Sequence, residues 1–395
     1  MNLDLGPEYA AFRAHVADFL ARHWPPAPGA DPAQAAAAFR REAVEAGFLY
    51  RSVPRIYGGG EQAPDPARAR IIREEFARAG APRELEGPGV SMLVPTLLAR
   101  GADWQKERFI PKTLSGEIIW CQGYSEPGAG SDLASLRTKA VLEGDEWVIT
   151  GQKVWTTLAH LAHYMFILVR TEPDAPKHEG LSYLLLDMKQ PGVTVRPLKQ
   201  MTGGREFNEV FLDGARTPAH WIVGKRGEGW AVSRTTLKHE RDAIGSSART
   251  EDMFAKLVQL ARSVEIDGAP AIERADIRQA LARIEGYVLA QRYSSFRAQS
   301  MSNAGEEPGL IGALNKLNGA EIGHRIAALA QELIGDDGLS MPPLGRKGGA
   351  RGHEKWVNQI MGSLGVAIAG GSSNIQRNVI AERALGLPRG HGDGA

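Results

Sequence analysis

The sequence predicts an α+β protein that is mostly helical, with a helical domain, a β domain and a second helical domain in that order. Three observations lead to this prediction. Apolar residues recur at helical spacing near the amino terminus, the period falls to two in the middle, and the helical period then returns in long segments. The predicted domains are residues 1–118, 119–229 and 230–395. A chain of 395 residues is long enough for such a division.

The amino-terminal domain is predicted to be helical because its apolar residues fall on one face. Phe12, Val16, Phe19 and Leu20 follow one another at steps that a helix places side by side. The alanine-rich segment 33–46 favours a helix by intrinsic propensity. A glycine run, IYGGG, then interrupts the pattern, and RARIIREEFARAG resumes it.

The middle domain is predicted to consist of short β-strands. The runs EWVIT, HYMFILVR, LSYLLLDM, VTVRPL and NEVFLDGARTPAHWIVG are rich in β-branched and aromatic residues, and Gly, Pro and Asp separate them. The runs do not alternate with helices, and no GxGxxG sequence follows a strand. This pattern disfavours a Rossmann dinucleotide fold and favours a compact β domain.

The carboxy-terminal domain is predicted to be an antiparallel four-helix bundle. Its four helical segments are 230–264, 275–300, 309–334 and 353–385, and their connections contain glycine and proline.

Composition narrows the class of function. The net charge is +1 and charged residues make up 24% of the chain, which disfavours nucleic acids and anionic membranes as partners. The single cysteine, Cys121, excludes an intrachain disulfide framework and a cysteine-based zinc site, and we predict no metal. The amino terminus has no long apolar segment, and no apolar run approaches the length that spans a bilayer. We therefore expect a cytoplasmic protein.

The most informative stretch runs from Trp120 to Thr157. Its loop carries glycines, which permit a ligand to approach the backbone closely, and the hydroxyls of Ser125 and Ser131 add hydrogen-bond donors. Trp155 could lie against a flat ring. The residues alone leave two interpretations open, a cradle for a cofactor and a β-hairpin with an ordered turn.

Two motifs within this stretch carry a resemblance to a known family. YSEPGAGSD, followed after eighteen residues by GQKVWTT, resembles the flavin-binding signature of the acyl-CoA dehydrogenase family. The resemblance extends to the carboxy terminus. It implies a β-barrel-like domain between two helical domains, FAD as cofactor and an acyl-CoA as substrate. It also implies an oligomer, such as a homotetramer, and an electron-transferring flavoprotein as acceptor.

The reaction of this family requires one carboxylate base. The base removes the α-proton of the acyl thioester while the β-hydrogen leaves as hydride to the flavin N5 atom. In many relatives the base precedes an Ile-Gln-Arg stretch, but here that position is Gly370, which cannot accept a proton. Other members carry the base before an arginine in the first helix of the bundle, and LKHERDAIGSS places Glu240 there. Without the family, Glu240 would be interpreted as a surface glutamate of a helix.

The resemblance also implies contacts for the ligands. Next to the predicted base, Arg241 matches a substrate-binding arginine, and His239 is expected to face solvent. Ser131 matches a residue that contacts both the flavin and the acyl-CoA arm. The residues that match flavin contacts are Gln122, Tyr124, Ser125, Gly130, Ser131, Trp155, Thr157, Ser372 and Asn374.

One flavin-binding element departs from the family pattern. Relatives carry a neutral glycine-rich run near the adenine diphosphate, whereas this chain has QELIGDDGLS with Asp336 and Asp337. Acidic groups beside a pyrophosphate are unfavourable unless they point away. The arginine that a neighbouring subunit supplies falls within residues 263–279, where we select Arg274.

Three functions are compatible with the motifs. The first is an acyl-CoA dehydrogenase that uses Glu240, and WCQGYSEPGAGSDLASL together with HER resembles bacterial members for dicarboxylyl or bulky acyl-CoAs, including sterol side chains. Gly370 is compatible with a bulkier or branched acyl group. The second is a non-catalytic or half-site subunit of a hetero-oligomeric dehydrogenase, which the altered GDDG run suggests. The third is an acyl-CoA oxidase that uses oxygen.

Overall fold

The computed structural model describes residues 6–245, 247–303, 306, 308–339, 352 and 354–388. Internal contacts divide the chain into two compact units. The first comprises Met1–Ala129, Leu133–Arg196 and Asn208–Thr236, and the second comprises Gly130–Asp132, Pro197–Phe207 and Leu237–Ala395. The predicted boundaries of the three domains stay a prediction.

The first unit begins with α-helices, as predicted for this part of the chain. They are α1 (Pro7–His23), α2 (Pro32–Glu45), α3 (Pro66–Ala79), α4 (Val94–Arg100) and α5 (Asp103–Leu114). Asp31 and Asp65 cap α2 and α3 by accepting hydrogen bonds from the backbone N–H groups of Gln34 and Arg68. Such a cap contributes about 1 kcal/mol. Phenylalanine rings fill the space between these helices at edge-on and tilted angles; they belong to Phe19, Phe39, Phe48 and Phe76.

The first unit also contains the predicted β domain. Its strands are β1 (Trp120–Gly123), β2 (Lys139–Glu143), β3 (Glu146–Lys153), β4 (Tyr164–Arg170), β5 (Leu181–Asp187), β6 (Val193–Pro197), β7 (Asn208–Pro218) and β8 (Ile222–Val223). The sheet has the order β6-β7-β3-β2-β4-β5-β8, and β1 pairs with β4 in parallel. The interior residues of β4 and β5 are buried on both faces, which explains the continuous apolar run MFILV of β4 and the mostly apolar sequence of β5.

Cys121 is a buried strand residue and not a reactive site. It lies on β1 with no exposed surface, within the core cluster of the sheet. Burial raises the pKa of its thiol far above the ordinary value, so the thiolate does not form at neutral pH.

The second unit is helical, but two of the four predicted segments are broken. Segment 230–264 forms α6 (Gly229–Ile244), whose residues up to Thr236 belong to the first unit, and α7 (Ser247–Ser263), with the break at Gly245. Segment 353–385 forms α10 (Glu354–Val366) and α11 (Ser373–Arg383). Between the latter two, Gly370 and Gly371 have φ angles of 63° and 88°, which a right-handed helix does not adopt. The remaining long helices are α8 (Ala275–Asn303) and α9 (Ile311–Ile334), and a two-residue hairpin, β9 (Glu265–Ile266) and β10 (Ala269–Pro270), follows α7.

Helix α9 is the centre of the bundle. It packs against α7, α8, α10 and α11. Its inward face carries leucine, isoleucine and alanine, and α7, α8 and α10 contribute to the same core through Leu257, Leu260, Ile277, Leu281, Ile284, Val288 and Val357. The helical amino-terminal part, the central sheet and the bundle confirm the predicted fold class.

In the part of the chain that the structure describes, no helix is both long and apolar enough to cross a bilayer. Within the same residues, His, Cys, Asp and Glu do not gather in groups of three or more that could hold a metal ion.

Candidate active site

The first motif forms a tight turn after β1. The backbone N–H of Glu126 donates to the carbonyl of Ala129 at 3.0 Å, and the N–H of Ala129 donates back to Glu126 at 3.1 Å. Pro127 and Gly128 occupy the tip of this turn and are exposed. A side chain at Gly128 would meet no atom within 4 Å. The tip therefore leaves room for a ligand to approach its backbone.

The second motif runs beside the first. The backbone N–H of Val154 donates to the carbonyl of Ser125 at 2.9 Å. This bond brings the strand-end residues of YSEPG next to the VWTT segment at the end of β3. The strand-end part of the first motif and the second motif, although separated in sequence, thus lie side by side in the first unit.

A buried ion pair between Lys153 and Glu126 joins the two motifs. Lys153 has no exposed surface, and its Nζ donates to a carboxylate oxygen of Glu126 at 2.9 Å. The same Nζ donates to the carbonyls of Tyr124 at 3.1 Å and Leu168 at 2.8 Å. All three ammonium protons therefore have an acceptor, as a buried charge requires. Sequence reasoning missed this pair, although both charged residues lie inside the quoted motifs.

The carboxylate of Glu126 is also held by the backbone. It accepts hydrogen bonds from the N–H groups of Arg137 at 2.7 Å and Thr138 at 2.9 Å. Burial acts to raise the pKa of Glu126, but the Lys153 ammonium and these hydrogen bonds outweigh burial, so the pKa lies below its ordinary value. Burial lowers the pKa of Lys153, and Glu126 acts against that effect.

Glu126 is expected to give the protein an acid-sensitive contribution to stability. Its folded-state pKa is lowered, so the contribution is complete above the unfolded-state value of about 4.3 and is lost as the pH falls through the folded-state pKa. We expect the difference in unfolding free energy between the parent and Glu126→Gln to shrink below about pH 4.3. Urea unfolding at several pH values between neutral and acid measures it. A difference that stays constant over that range would contradict the assignment.

Trp155 is held in an unusual backbone conformation. Its φ angle is 59°, a left-handed value that bulky residues rarely adopt, and its side chain is 60% exposed. Strain of this kind costs about 1–3 kcal/mol and persists where surrounding contacts enforce it. An exposed indole in an enforced conformation is suited to contact a flat ligand.

The next residue shows what enforces the conformation. The backbone of Thr156 exchanges hydrogen bonds with the backbone of Asn208 at 3.0 and 3.1 Å, and the Asn208 side-chain amide donates to the Thr156 carbonyl at 2.9 Å. Both residues are fully buried. Asn208, at the start of β7, is thus a positioning residue that sequence reasoning missed, because its partner lies 52 positions away.

Replacing Trp155 is expected to separate stability from flavin binding. Trp155→Asn places a residue that tolerates a left-handed φ at this position, so we expect the unfolding free energy to change by less than about 1 kcal/mol. FAD retention should weaken by about 1 kcal/mol, or about fivefold in Kd, because a stacked ring is lost. Trp155→Phe is the control that keeps an aromatic ring. Equal losses of stability and retention would contradict a role as ligand platform.

The other predicted residues of the sheet differ in accessibility. Tyr124 is buried, with its ring edge-on to Phe166 and Tyr183 at centroid distances of 6.1 and 6.2 Å. Gln122, Ser125 and Thr157 are partly buried. The ring of Tyr124 can therefore form an apolar wall of a ligand site, and the side chains of Gln122, Ser125 and Thr157 can supply its polar groups. Gly130 and Ser131, which belong to the second unit, are exposed.

A group of buried hydroxyls adjoins Tyr124 through Tyr183. Tyr183 is fully buried, and burial raises the pKa of its phenol, so it stays protonated at neutral pH. The hydroxyl of Thr236 on α6 donates to Tyr183 at 3.4 Å and lies 2.9 Å from the hydroxyl of Thr96 on α4. These hydrogen-bonded hydroxyls fix the beginning of α6 against the sheet.

Glu240 lies on α6 in the second unit and is partly buried, as is His239. The side chain of Arg241, the predicted substrate contact, lies outside the described residues. Gly370, the alternative position for a base, has a left-handed φ of 63°. A glutamate at 370 would therefore be strained, which agrees with a glycine at that position.

The remaining predicted flavin contacts lie at the start of α11. Ser372 is its N-cap, and its hydroxyl accepts a hydrogen bond from the backbone N–H of Ile375 at 3.3 Å. Asn374 is exposed and accepts from the Arg377 guanidinium at 3.2 Å. Ser372 retains its hydroxyl proton for a ligand, and Asn374 retains its amide protons.

The altered loop and the selected arginine both lie at the surface. Asp336 and Asp337 are exposed in a short 3₁₀ segment after α9, so their charges are solvated. Arg274 forms exposed ion pairs with Asp267 at 3.2 Å and Asp276 at 2.8 Å. The role of Arg274 toward FAD stays a prediction.

The residues of the first unit fit a flavin. An exposed aromatic platform, an open glycine turn and side-chain amide and hydroxyl groups lie on two adjacent segments, which suits a planar ring with polar edges. This combination is typical of a flavin-binding surface.

Comparison with known proteins identifies the family. Models of the acyl-CoA dehydrogenase N-terminal, middle and C-terminal domains match residues 6–117, 121–215 and 227–385. The acyl-CoA dehydrogenase IpdE1 of Mycobacterium tuberculosis is 42% identical over 355 residues, which cover 89% of this chain and 88% of that protein. The chain therefore belongs to the acyl-CoA dehydrogenase family, whose members are FAD-dependent oxidoreductases.

Solved structures of the same family are similar over the full length. The crystal structure of the ChsE4–ChsE5 complex from Mycobacterium tuberculosis has a TM-score of 0.77 and 28% identity, and it covers 99% of this chain and 100% of that chain. The Tcur3481–Tcur3483 steroid acyl-CoA dehydrogenase has a TM-score of 0.78 and 27% identity over 99% and 100% of the two chains. The predicted resemblance, the enzyme class and the cofactor are confirmed.

Proposed function

We propose that this protein oxidises the Cα–Cβ bond of an acyl-CoA thioester to the trans-2-enoyl-CoA, with Glu240 as the base. The observation that carries the proposal is the pairing of two facts about the possible base positions. Glu240 is a partly buried carboxylate on α6, and Gly370 has a backbone conformation that disfavours any side chain. The family membership supplies the reaction class.

In the proposed mechanism the Glu240 carboxylate takes the α-proton and becomes a carboxylic acid, while the two carbons form a double bond. Bound FAD supplies the acceptor for the hydride that leaves the β-carbon. Trp155 and Tyr124 orient the flavin, and Gln122, Ser125 and Thr157 donate to its polar edge. We propose additional flavin contacts from Gly130, Ser131, Ser372 and Asn374, and substrate contacts from Ser131 and Arg241.

For the substrate we propose a bulky or branched acyl-CoA. Two observations support this choice. Gly370 has no side chain, so it leaves volume free at a position where relatives carry a glutamate. The structural neighbour described as a steroid acyl-CoA dehydrogenase shares 27% of its residues with this chain. We propose an electron-transferring flavoprotein as the electron acceptor. We also propose a cytoplasmic location and a role in fatty acid metabolism by β-oxidation.

An alternative proposal is a subunit that needs a different partner chain to complete its flavin site. Exposed Asp336 and Asp337 favour it, because they replace neutral residues of a cofactor loop. Two of the solved neighbours are described by the names of two proteins, ChsE4–ChsE5 and Tcur3481–Tcur3483. A third possibility is an oxidase, in which oxygen replaces the flavoprotein acceptor.

An anaerobic titration tests these proposals. The purified protein would be mixed with octanoyl-, isovaleryl-, glutaryl- and cyclohexane-1-carbonyl-CoA and with a steroid side-chain CoA thioester, while flavin absorbance is recorded. Bleaching by a bulky thioester supports the dehydrogenase. Protein that holds no FAD when produced alone favours the hetero-oligomer, and rapid peroxide formation in air favours the oxidase.

A further inference from the structure

A buried lysine in the bundle has no role in the mechanism described so far. Lys316 lies on α9 with no exposed surface, and its Nζ has no hydrogen-bond partner among the residues that the structure describes. Desolvating an ammonium ion without hydrogen bonds is costly, so such a residue is rare in a helical core. An apolar side chain would pack there at lower cost. Lys316 therefore calls for a functional reason.

Hydrogen bonds place the turn that carries Lys316 beside the end of α6. The side-chain amide of Gln291, fully buried on α8, donates to the carbonyl of Gly245 at 3.0 Å and to the carbonyl of Asn315 at 3.1 Å. Gly245 directly follows α6, and Asn315 directly precedes Lys316. One nitrogen atom thus joins the two chain segments.

The bridge is itself fixed. The hydroxyl of Thr250 on α7 donates to the Gln291 carbonyl oxygen at 2.8 Å, and the amide of Asn315 donates to the hydroxyl of Ser295 at 3.2 Å. Thr250 and Asn315 are buried. The arrangement of α6 and α9 is therefore held by a polar network inside an apolar bundle, which favours one defined geometry.

Lys316 and Glu240 interact electrostatically. Burial lowers the pKa of the Lys316 ammonium, and the Glu240 carboxylate acts in the opposite direction because it stabilises the positive charge. The attraction is mutual, so the ammonium also stabilises the negative charge of Glu240. Perturbed buried groups of this kind concentrate at functional sites.

We propose that Lys316 is a positioning residue for the base: it is the buried counter-charge that holds the Glu240 carboxylate in place for proton abstraction. The inference rests on the proposed function of Glu240. The hydrogen-bond bridge at Gln291 fixes the distance between the two helices, and the ammonium group then attracts the carboxylate toward the bundle. Lys316 touches neither substrate nor flavin in this role.

The test compares variants of the flavin-loaded protein. Lys316→Met removes the charge at similar volume, and Lys256→Met makes the same change on α7 at a side chain that is 62% exposed. With the fastest thioester of the panel above, we expect Lys316→Met to lower kcat by about 10- to 100-fold with KM unchanged, whereas Lys256→Met keeps the parent rate. The deuterium isotope effect should rise for substrate labelled at the α-carbon. Lys316→Arg should recover part of the rate.

Combination with Glu240→Gln separates the two proposals. In that background Lys316→Met should cause no further loss, because the charge that it positions is gone. A parent-like kcat in Lys316→Met, together with a slow Glu240→Gln, would overturn the role of Lys316 and leave the proposed function intact. A parent-like Glu240→Gln would overturn both.

A variant that fails to fold also gives an answer. Lys316→Gln keeps polar atoms without the charge and serves as the second variant. Slow turnover in folded, flavin-loaded Lys316→Gln supports the proposal, and normal turnover overturns it. Loss of folded protein in all the Lys316 variants, Lys316→Arg included, would assign this residue to the stability of the bundle and reject the role toward Glu240.

Discussion

Glu240→Gln is expected to lower the rate of flavin reduction by an acyl-CoA by about 10²–10⁴-fold, the usual contribution of a general base. The amide has nearly the same shape as the carboxylate but cannot accept the α-proton, so binding should persist while the chemical step is lost. Anaerobic stopped-flow absorbance of the flavin measures the rate, and a parallel titration measures thioester affinity.

Two further variants sharpen this result. Glu321→Gln makes the same change on α9 at a surface ion pair with Arg325 and should keep the parent rate. Glu240→Gln combined with Gly370→Glu offers a carboxylate at the other position of the family. We expect no recovery, because the backbone at 370 has a φ of 63° that a glutamate adopts only with strain. A fast Glu240→Gln variant would show that another group is the base.

Lys153→Met is expected to destabilise the protein by about 3–5 kcal/mol, because it removes one partner of a buried ion pair and leaves the other charge behind. The Glu126 carboxylate would keep only the N–H groups of Arg137 and Thr138, and the carbonyls of Tyr124 and Leu168 would lose their donor. Urea unfolding measures the loss. FAD content should fall as well, since Lys153 fixes the segment that presents Trp155.

The control for this prediction is a surface lysine with the same type of pair. Lys112 lies 2.9 Å from Glu117 with half of its side chain exposed, and Lys112→Met should cost no more than about 1 kcal/mol. The double variant Glu126→Gln/Lys153→Met should lose less stability than the sum of the two single variants. Additive losses would show that the two residues act independently.

Much of the fold was predictable from the sequence because the relevant information is local. The change of apolar period marks the β domain, and the all-apolar run of β4 indicates a strand that is buried on both faces. The two breaks in the predicted bundle helices were missed. Both lie at glycines, which helices tolerate at a modest cost of about 1 kcal/mol, so sequence spacing alone does not decide between a continuous and a broken helix.

The candidate site was predictable only as far as its motifs extend. YSEPGAGSD and GQKVWTT indicated the flavin segment. The glycine at position 370, where many relatives carry the base, directed attention to Glu240. The positioning contacts join residues that are distant in sequence, such as Glu126 with Lys153 and Thr156 with Asn208. Nothing in the local pattern of those residues specifies their partners.

The sequence by itself determined the order of helical and β segments, the family and the type of cofactor, since each depends on residues close together along the chain. Only the tertiary structure decided that Lys153 is fully buried with three hydrogen-bond acceptors. It also decided that Trp155 has a left-handed backbone φ angle and an exposed side chain, and that the turn carrying Lys316 lies beside the end of α6. The physical reason is that burial and electrostatic partnership depend on the surrounding elements, which meet only when the chain has folded.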